Sequence, residues 1–415
     1  MRRLIAAVML WLAPLAAASA QTLPAQVDPN NPPPPLAQPF GPQASIADNF
    51  TVADFLEPAI ISHTDNEEIG SGEGAYRGNC LPTHSAFSDP IVFPGLIGGS
   101  PHGHTNFGNR NGLDKTSYTQ VRTEGLSSCY NIMWRSLYWL PMLSRWKADG
   151  TRDVRMPDSV NIYYKRPGIN MPQCQPGNPL FIGRCVPLPN GLKLVAGADM
   201  VTQTVPSGKL TFACIVYTAQ NTGGYNGGLK SDVPAAANAC PAVPNGETIT
   251  KRVLNVKFEF PACWNGVDLD SANHRSHIAD AFTNPTTGRY ACPATHPYHM
   301  WRYTAQFQYT MDEHLPTDGL WWQGRPGWYF DSDRMFGMPM VKPGTSVHMD
   351  LWDGMSPYMK TAIEANCINR VLSCNDGDLG NGEKLKRIWT ASVPAILPRP
   401  TASREPGSVK FHAPN

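Results

Sequence analysis

Two histidines separated by a single residue are the feature of this sequence best suited to chemistry. His102 and His104 lie in residues 100–109 and account for two of the eleven histidines of the chain. In an extended strand, residues i and i+2 point to the same side, so both imidazoles would face one small volume. Imidazole is the commonest metal ligand and the side chain that exchanges a proton near neutral pH. The pair therefore predicts a metal site or acid–base chemistry, with a surface turn as the alternative for so short a motif.

Four further segments concentrate reactive side chains in short polar stretches. They are residues 268–277, residues 292–297 with His299 soon after, residues 331–337 and residues 347–350. These segments supply the candidate catalytic residues His277, His296, His348 and Asp350, and the candidate substrate-binding residues Asp268 and His274. If residues 347–350 form a strand, His348 and Asp350 share a face, and a solvent-facing stripe is the alternative. Residues 331–337 are expected to form a polar turn.

Arg135 is a candidate of a different kind, because it lies in an aromatic stretch with Trp134 and Tyr138. A guanidinium group in such surroundings is costly unless it has a carboxylate partner or a ligand. Arg135 is therefore a candidate catalytic residue, and a structural arginine stacked on aromatic rings is the alternative. Asn106 and Tyr138 complete the candidate substrate-binding residues.

The amino-terminal residues predict export. Residues 1–20 read as a signal peptide, with a basic start, an apolar stretch and small residues before the expected cleavage site. An uncleaved signal anchor is the alternative. No later stretch is long enough to span a bilayer, so we expect a secreted or periplasmic protein without stable membrane insertion.

Ten cysteines agree with an oxidising compartment, since an even number permits complete pairing. No Cys-x-x-Cys motif is present, which disfavours a cysteine zinc site. We predict sequential pairing into five disulfides: Cys80 with Cys129, Cys174 with Cys185, Cys214 with Cys240, Cys263 with Cys292, and Cys367 with Cys374.

Composition favours a β fold and excludes some partners. The net charge is +1 and charged residues make up 16% of the chain, so no surface suited to nucleic acid is indicated. Short runs rich in β-branched and aromatic residues predict strands at 159–164, 210–217, 253–260 and 303–309. We expect a mainly β protein, an antiparallel, jelly-roll-like β-sandwich with long disulfide-stapled loops.

The chain divides into four parts on its composition. After the signal peptide, residues 21–45 are proline-rich and predict an extended spacer. Residues 46–395 are expected to form a single β-rich domain, and residues 396–415 a disordered tail. Helix should be scarce, with the best candidates at 358–368 and 271–283.

Several ordered motifs resemble those of the DUF1996 family of secreted proteins, whose activity is not assigned. They include residues 80–84, 89–95, 135–141, 258–266 and 292–297, besides the two histidine-containing segments at 102–109 and 268–277. The resemblance implies that the polar positions of the family are His102, His104, Arg135, Asp268, His274, His277, His296, His348 and Asp350. It also implies export and an association with carbohydrate, because members often carry sugar-binding modules. This chain departs from the pattern in its proline-rich spacer, in its Cys174–Cys185 region and in showing no attached module.

Three functions are compatible with these residues. The first is a secreted enzyme acting on a polysaccharide or oligosaccharide, a lyase in preference to a hydrolase, with a histidine base and Arg135 facing a substrate carboxylate. The second is an enzyme or oxidase that depends on a divalent transition metal such as zinc, copper or iron. Its ligands would be His102, His104 and one of His277, His296 or His348, of which His277 is the first choice. The third is a non-catalytic glycan-binding or cell-wall protein.

Overall fold

The computed structural model describes residues 23–59, 72–146, 152–199, 208–311, 328–334, 341–388 and 396–398. Short strands dominate these residues. Numbered in chain order, the strands are β1 (Leu56–Pro58), β2 (Glu73–Cys80), β3 (Pro82–Ala86), β4 (His104–Gly108), β5 (Leu137–Pro141), β6 (Leu143–Trp146), β7 (Arg152–Arg155), β8 (Ser159–Pro167), β9 (Arg184–Cys185), β10 (Lys193–Gly197), β11 (Leu210–Thr218), β12 (Tyr225–Asn226), β13 (Ile249–Glu259), β14 (Cys263–Trp264), β15 (Ile278–Ala279), β16 (Phe282–Thr283), β17 (Tyr290–Ala291), β18 (Tyr298–His299), β19 (Arg302–Thr310), β20 (Trp328–Phe330), β21 (His348–Trp352), β22 (Ser373–Cys374), β23 (Glu383–Leu385) and β24 (Ile396–Pro398).

Two large sheets form the centre of the fold. One has seven strands in the order β12-β11-β13-β19-β8-β2-β22, and the other has five in the order β10-β21-β5-β4-β3. The four long strands predicted from sequence are β8, β11, β13 and β19, and they are all in the seven-stranded sheet. Smaller sheets have the orders β15-β14-β18-β9, β20-β6-β7-β24, β1-β23 and β16-β17.

The main hydrophobic core lies between the two large sheets. Along β19 the residues alternate between partly exposed and buried, so that Tyr303 and Phe307 point inward. The facing sheet contributes Phe107 and Tyr138, whose rings lie 5.2 Å from Phe307 and 5.9 Å from Tyr303, centroid to centroid. Burying such large apolar side chains is the main favourable term in folding. The predicted class is confirmed: the protein is mainly β, with antiparallel sheets and few short helices.

All five predicted disulfides are present, and they use every cysteine of the chain. The pairs are Cys80–Cys129, Cys174–Cys185, Cys214–Cys240, Cys263–Cys292 and Cys367–Cys374. Each would stabilise the fold by about 2–4 kcal/mol by restricting the unfolded chain, on the usual model. Together they hold loops that have little regular secondary structure.

The described part of the proline-rich segment predicted as an extended spacer, residues 23–45 of 21–45, packs against the domain. From residue 23 onward, proline carbonyls accept hydrogen bonds from the domain. Tyr298 Oη donates to Pro34 O at 2.9 Å, and Arg184 Nε donates to Pro33 O at 2.6 Å. Val27 is buried in a small apolar cluster with Cys263. Polyproline backbone has no internal hydrogen bonds, so its carbonyls are available to neighbouring donors.

The helices match the predictions in one place and differ in another. The predicted helix at 358–368 is an α-helix, Pro357–Ala362, continued by a π-helical turn, Ile363–Ile368. Among the described residues the other α-helices are Tyr118–Thr123 and Val233–Ala237, and short 3-10 turns occur at Val52–Phe55, Gly112–Asp114, Pro172–Cys174 and Asp331–Arg334.

The prediction of a helix at 271–283 was wrong. Asn273 Oδ1 accepts hydrogen bonds from the backbone N–H groups of Arg275 at 3.1 Å and Ser276 at 2.8 Å, which closes a turn instead. His274 has φ = +56°, which no α-helix permits.

Two predicted segments fall wholly or mainly outside the described residues. The signal peptide at 1–20 lies outside them, as does most of the tail predicted at 396–415. The first three tail residues form β24, which pairs with β7. Within the described residues, no helix has the length and apolar character needed to cross a membrane.

Candidate metal site

The outer face of the five-stranded sheet positions a group of histidines. β4 begins at His104 and β21 begins at His348, and β5 lies between these two strands. Residues alternate across β21, so Met349 and Leu351 enter the main core while His348 and Asp350 point to the opposite face. His104 pairs with Pro141 of β5. The register between β21 and β5, continued by two residues, puts His348 opposite the same proline.

The three imidazoles of His102, His104 and His348 come together on this face of the sheet, near Pro141. Nε2 of His348 lies 3.2 Å from Nε2 of His102 and 3.4 Å from Nε2 of His104. His102 is 5% exposed, His104 0% and His348 4%. Within the described residues this is the one group of His, Cys, Asp or Glu side chains close enough together to share a metal ion.

The spacing of the ring nitrogens fits a tetrahedral ion. Zinc binds histidine nitrogen at about 2.0–2.1 Å, and the ligand–ligand distance in a tetrahedron is about 1.6 times that length, or about 3.3 Å. The Nε2 separations of His348 from His102 and from His104, 3.2 and 3.4 Å, lie on either side of that value. Three protein ligands would leave one position open for water or substrate.

Backbone carbonyls determine which ring nitrogens face the centre. His104 Nδ1 donates to Ser88 O at 2.9 Å, and His348 Nδ1 donates to Ser346 O at 3.4 Å. Because a carbonyl can only accept, each ring carries its proton on Nδ1, and in the neutral ring the Nε2 lone pair is free. Two lone pairs therefore face each other across 3.4 Å, an arrangement that a bound cation would relieve.

Burial keeps these imidazoles neutral. It lowers the pKa of His104 to about 4, and the hydrogen bond to the Ser88 carbonyl and the charge of Asp331 act in the opposite direction. Burial, followed by the charge of His104, lowers the pKa of His348 to about 3. Neutral imidazole is the form that binds a metal ion, so both rings are ready as ligands at neutral pH.

Two buried carboxyl groups lie beside the histidines. Asp350 Oδ2 is 3.7 Å from His348 Nε2, and it has no hydrogen bond within the described part of the chain. Burial, then the charge of Asp89, raises the pKa of Asp350, while the charge of Arg275 acts against this shift. Burial also raises the pKa of Asp89, although its Oδ1 accepts from the backbone N–H groups of Ile91 and Val92. The two carboxyl groups are close enough to affect each other's ionisation.

Asp331 holds the backbone between His102 and His104. Its Oδ2 accepts from the backbone N–H of Gly103 at 3.0 Å, and its Oδ1 accepts from Ser144 Oγ at 2.6 Å. The predicted polar turn is a buried 3-10 turn, and its first residue holds the backbone between His102 and His104. Such outer contacts orient metal ligands. Residues 335–337 of the same segment lie outside the described residues.

The structure places His277 and His296 away from the three-histidine group. His277 Nε2 donates to Lys193 O at 2.7 Å, and its Nδ1 lies 3.0 Å from Ser271 Oγ. His296 Nε2 lies 3.0 Å from Ser276 O. Both rings hold loops in place. His348, therefore, occupies the position for which His277 was the first choice.

Arg135 is also remote from the group and has structural partners. Its Nε donates to Gly125 O at 2.8 Å, and its Nη1 donates to Arg122 O at 2.6 Å and to Asn49 Oδ1 at 3.0 Å. The guanidinium carbon lies 5.6 Å from the centre of the Phe50 ring. The side chain is thus used in tying loops together, which differs from the predicted contact with a substrate carboxylate.

The candidate substrate-binding residues are scattered. Asn106 is buried on the face of His104, and its Nδ2 donates to His104 O at 3.3 Å. Tyr138 points into the main core, where its hydroxyl contacts Trp134 Nε1 at 2.6 Å. Asp268 is exposed and accepts from Asn265 Nδ2 at 2.7 Å. Among these, Asn106 lies on the sheet face that carries the histidine group.

The loop 268–277 nevertheless borders the group through Arg275, which was not among the candidate residues, and through His274, which was. Arg275 Nη2 donates to Ala198 O at 2.7 Å, beyond the end of β10, and its charge reaches Asp350. His274 Nδ1 lies 2.8 Å from Asp270 Oδ1, and the charge of His274 reaches Asp89. Ser88, Asp89 and Arg275 each lie within or beside a sequence segment named above, but nothing in the sequence separates them from the other residues of those segments. Only their position close to the three histidines does so.

Outside the group, buried His299 gives a pH-dependent prediction. Burial, then the charges of Arg166 and Arg302, lowers its pKa to about 3. The unfolded chain binds a proton there near pH 6.5 and the folded chain does not, so His299 destabilises the fold as the pH falls from about 6.5 towards 3. We expect His299→Gln to reduce the slope of unfolding free energy against pH by up to about 1.4 kcal/mol per unit in this window. Urea unfolding of both proteins at several pH values measures this, and identical slopes would contradict it.

Comparison with known proteins identifies a family for this chain but assigns no activity. A family model described as a domain of unknown function (DUF1996) matches residues 89–354, more than half of the chain. The matched region begins at Asp89 and includes all three histidines of the group and Asp350. No curated protein and no solved structure matches the chain. The protein belongs to the DUF1996 family.

Proposed function

We propose that this protein is a metal-dependent enzyme whose ion is bound by His102, His104 and His348. The observation that carries the proposal is the pair of Nε2 lone pairs of His104 and His348, which face each other at 3.4 Å while both Nδ1 atoms are held by carbonyls. A proton could relieve this arrangement, but burial lowers the pKa of both imidazoles to about 4 and about 3. A divalent cation is therefore the better occupant at neutral pH.

The donor set points to a transition metal. Neutral imidazoles suit zinc, copper and iron, and no thiolate is available because every cysteine is in a disulfide. An ion with three imidazole ligands and one open position lowers the pKa of water and polarises carbonyl groups. This is the chemistry that hydrolytic metalloenzymes use.

The chain's own residues would orient the reactants. Asp350 Oδ2, 3.7 Å from His348 Nε2 and without a hydrogen bond among the described residues, is placed to accept a hydrogen bond from a water molecule at the centre. Arg275 adds a positive charge on the same side. Asp331 fixes Gly103 and with it the directions of the flanking imidazoles. Such support holds ligands within the narrow limits that catalysis needs.

We further propose that the substrate is a polysaccharide or oligosaccharide and that the protein acts in a secreted or periplasmic setting. Five disulfides fit an oxidising compartment outside the cytoplasm. The substrate class rests on the association with carbohydrate that the family resemblance implies. A metal-activated water would make the reaction a hydrolysis.

A polysaccharide lyase without a metal is the second candidate, and one observation favours it. The imidazoles are neutral at pH 7, as a general base must be, and Arg275 could take the role first given to Arg135. In that case His104 or His348 would remove the proton alpha to a uronate carboxylate.

Metal content and product chemistry distinguish these candidates. The full chain, purified without chelator, should contain close to one transition-metal ion per molecule by elemental analysis, and chelation should abolish hydrolysis of a polysaccharide panel. A lyase would instead release unsaturated uronate products, detected by ultraviolet absorbance, and would survive chelation. Absence of any metal from protein purified and reconstituted with zinc, copper or iron would rule out the metal-dependent function. Glycan binding without either activity would support a non-catalytic protein.

A further inference from the structure

The seven-stranded sheet has an outer face that is open to solvent. Its inner side chains, such as Tyr303 and Phe307 of β19, are in the main core, and the alternate residues point outward. On the adjacent strands β19, β8 and β2, every outward side chain that is half-buried or exposed is polar. This face lies on the other side of the core from the three-histidine group, so the two are separate parts of the surface.

A row of amides crosses three strands of this face. Gln306 of β19 is paired with Asn161 of β8, which is paired with Asn79 of β2. Asn79 Nδ2 donates to Asn161 Oδ1 at 2.8 Å. Among the described residues, the other amide atoms of Asn79 and Asn161 and the side chain of Gln306 have no hydrogen bond. Since neighbouring strands lie about 4.8 Å apart, the row presents planar donors and acceptors over about 10 Å. Such a row fits a ligand rich in hydroxyl groups, which also donate and accept.

Two cations lie beside the amide row. Arg77 of β2 is paired with Tyr163 of β8, and its guanidinium carbon is 5.8 Å from the centre of the tyrosine ring. Lys165 follows Tyr163 by two residues on the same face, and its Nζ is 5.5 Å from the same centre. Both distances are in the range of a cation–π contact. One ring therefore holds two positive charges close together.

These two cations have no carboxylate partner within the described residues. The outward charged residues of β2, β8 and β19 are three cations, Arg77, Lys165 and Arg302, and one carboxylate, Glu73. Arg302 Nη2 lies 2.9 Å from Glu73 Oε2, so that pair is neutral as a unit. Arg77 and Lys165 leave an excess of two positive charges, and a ligand with negative charges would offset their repulsion.

We propose that this outer face binds an acidic polysaccharide, whose carboxylates contact Arg77 and Lys165 and whose hydroxyls contact the amides of Gln306, Asn161 and Asn79. Guanidinium binds carboxylate through two parallel hydrogen bonds, which gives direction as well as charge. A single-stranded nucleic acid, the other common polyanion, binds by stacking bases on free aromatic rings, whereas the Tyr163 ring is occupied by the two cations. This inference shares only the polysaccharide ligand with the proposed function and does not rest on the metal site.

Binding of polygalacturonate to the full chain in the presence of a chelator tests the proposal. Migration in native gels that contain increasing amounts of the polysaccharide gives a Kd. The wild type should be retarded by polygalacturonate and not by dextran, which carries no charge. Raised salt should weaken the binding, because exposed charges are screened.

Variants on the outer face make the test specific. The double variant Arg77→Gln with Lys165→Gln should raise Kd by roughly three- to tenfold and reduce its salt dependence, since single exposed ion pairs contribute little. Gln306→Ala should raise Kd by roughly two- to fivefold through lost hydrogen bonds and leave the salt dependence unchanged. The urea midpoints of these variants should equal that of the wild type, because the substitutions are on the solvent side of the sheet.

Arg387→Gln is a matched control from another part of the surface. Its guanidinium carbon also lies over a tyrosine, 4.0 Å from the centre of the Tyr130 ring, but its Nη2 has Asp376 Oδ1 at 3.6 Å. This variant should bind polygalacturonate as the wild type does. His348→Ala, on the opposite side of the core, should also keep the binding.

The outcomes separate this face from the metal site. If the chelated protein does not bind polygalacturonate, or if the double variant binds it as tightly as the wild type, the binding face is overturned whatever the result for zinc. Equal affinity for single-stranded DNA, with no effect of Gln306→Ala, would show a general polyanion surface and also overturn it. Weaker binding in the double variant and in Gln306→Ala, but not in Arg387→Gln or His348→Ala, establishes the face. Failure of zinc binding alone would overturn the proposed function and leave this face standing.

Discussion

Replacing His348 with alanine is expected to lower the affinity for zinc by roughly 100-fold or more, since loss of an outer-shell contact alone costs 10- to 100-fold. The substitution removes the member whose Nε2 lies 3.2 Å from Nε2 of His102 and 3.4 Å from Nε2 of His104. His102 and His104 would remain, but two imidazoles two residues apart cannot enclose an ion as three can. Competition with a chromophoric chelator measures the affinity on the full chain.

A matched control separates ligation from general damage to the fold. His296→Ala removes an imidazole that contacts a backbone carbonyl at 3.0 Å outside the group, and it should leave zinc affinity within about twofold. In the wild type, zinc at 1,000 times Kd should raise the free energy of unfolding by about 4 kcal/mol, and His348→Ala should lose this gain. Equal zinc affinity in the His348 and His296 variants would rule out this set of ligands.

Replacing Lys360 with methionine should destabilise the protein by about 3–5 kcal/mol, because it leaves a buried carboxylate without its counter-charge. Lys360 Nζ donates to Asp353 Oδ2 at 2.6 Å, to Asn190 Oδ1 at 2.9 Å and to Leu188 O at 3.1 Å. The side chains of Lys360 and Asp353 are both fully buried. Burial lowers the pKa of Lys360, and the charge of Asp353 acts against this. Urea unfolding at pH 7 measures the loss.

Two comparisons make this prediction specific. Lys384→Met removes a partly exposed pair with Glu57 and should cost at most about 1 kcal/mol. The double variant Lys360→Met with Asp353→Leu should be less destabilised than Lys360→Met alone, because no unpaired charge remains. A loss below about 1 kcal/mol for Lys360→Met would show that Asp353 is not held as a buried ion.

The buried pair also bears on the candidate site, since Asp353 directly follows β21. Its backbone N–H donates to Leu192 O at 2.9 Å, and its Oδ2 accepts from Gly191 N at 3.1 Å. These contacts attach the end of β21 to the start of β10. β21 carries His348, so we expect Lys360→Met to weaken zinc binding as well as stability.

The disulfides show how far sequence alone can reach. The even number of cysteines and their spacing predict sequential pairing, and the structure contains all five predicted bridges. The strands also followed from local patterns, because alternation along β19 reports directly on which side faces the core. Where a side chain competed with the backbone, as Asn273 does, the local prediction of a helix failed.

The sequence by itself determined the β class, the covalent frame, and the presence of His102 and His104 on adjacent positions of one face. All of these depend on residues close in the chain or on the count and order of cysteines. It could not select the third histidine, because His348 is 246 residues from His102 and reaches it across β5. Whether two residues so far apart in the chain come into contact depends on strand order and register, and these depend on the packing of the whole sheet. Only the tertiary structure therefore shows that His348, and not His277, lies beside His102 and His104. It also shows that Asp350 lies beside His348 and that Arg135 contacts Gly125, Arg122 and Asn49 instead.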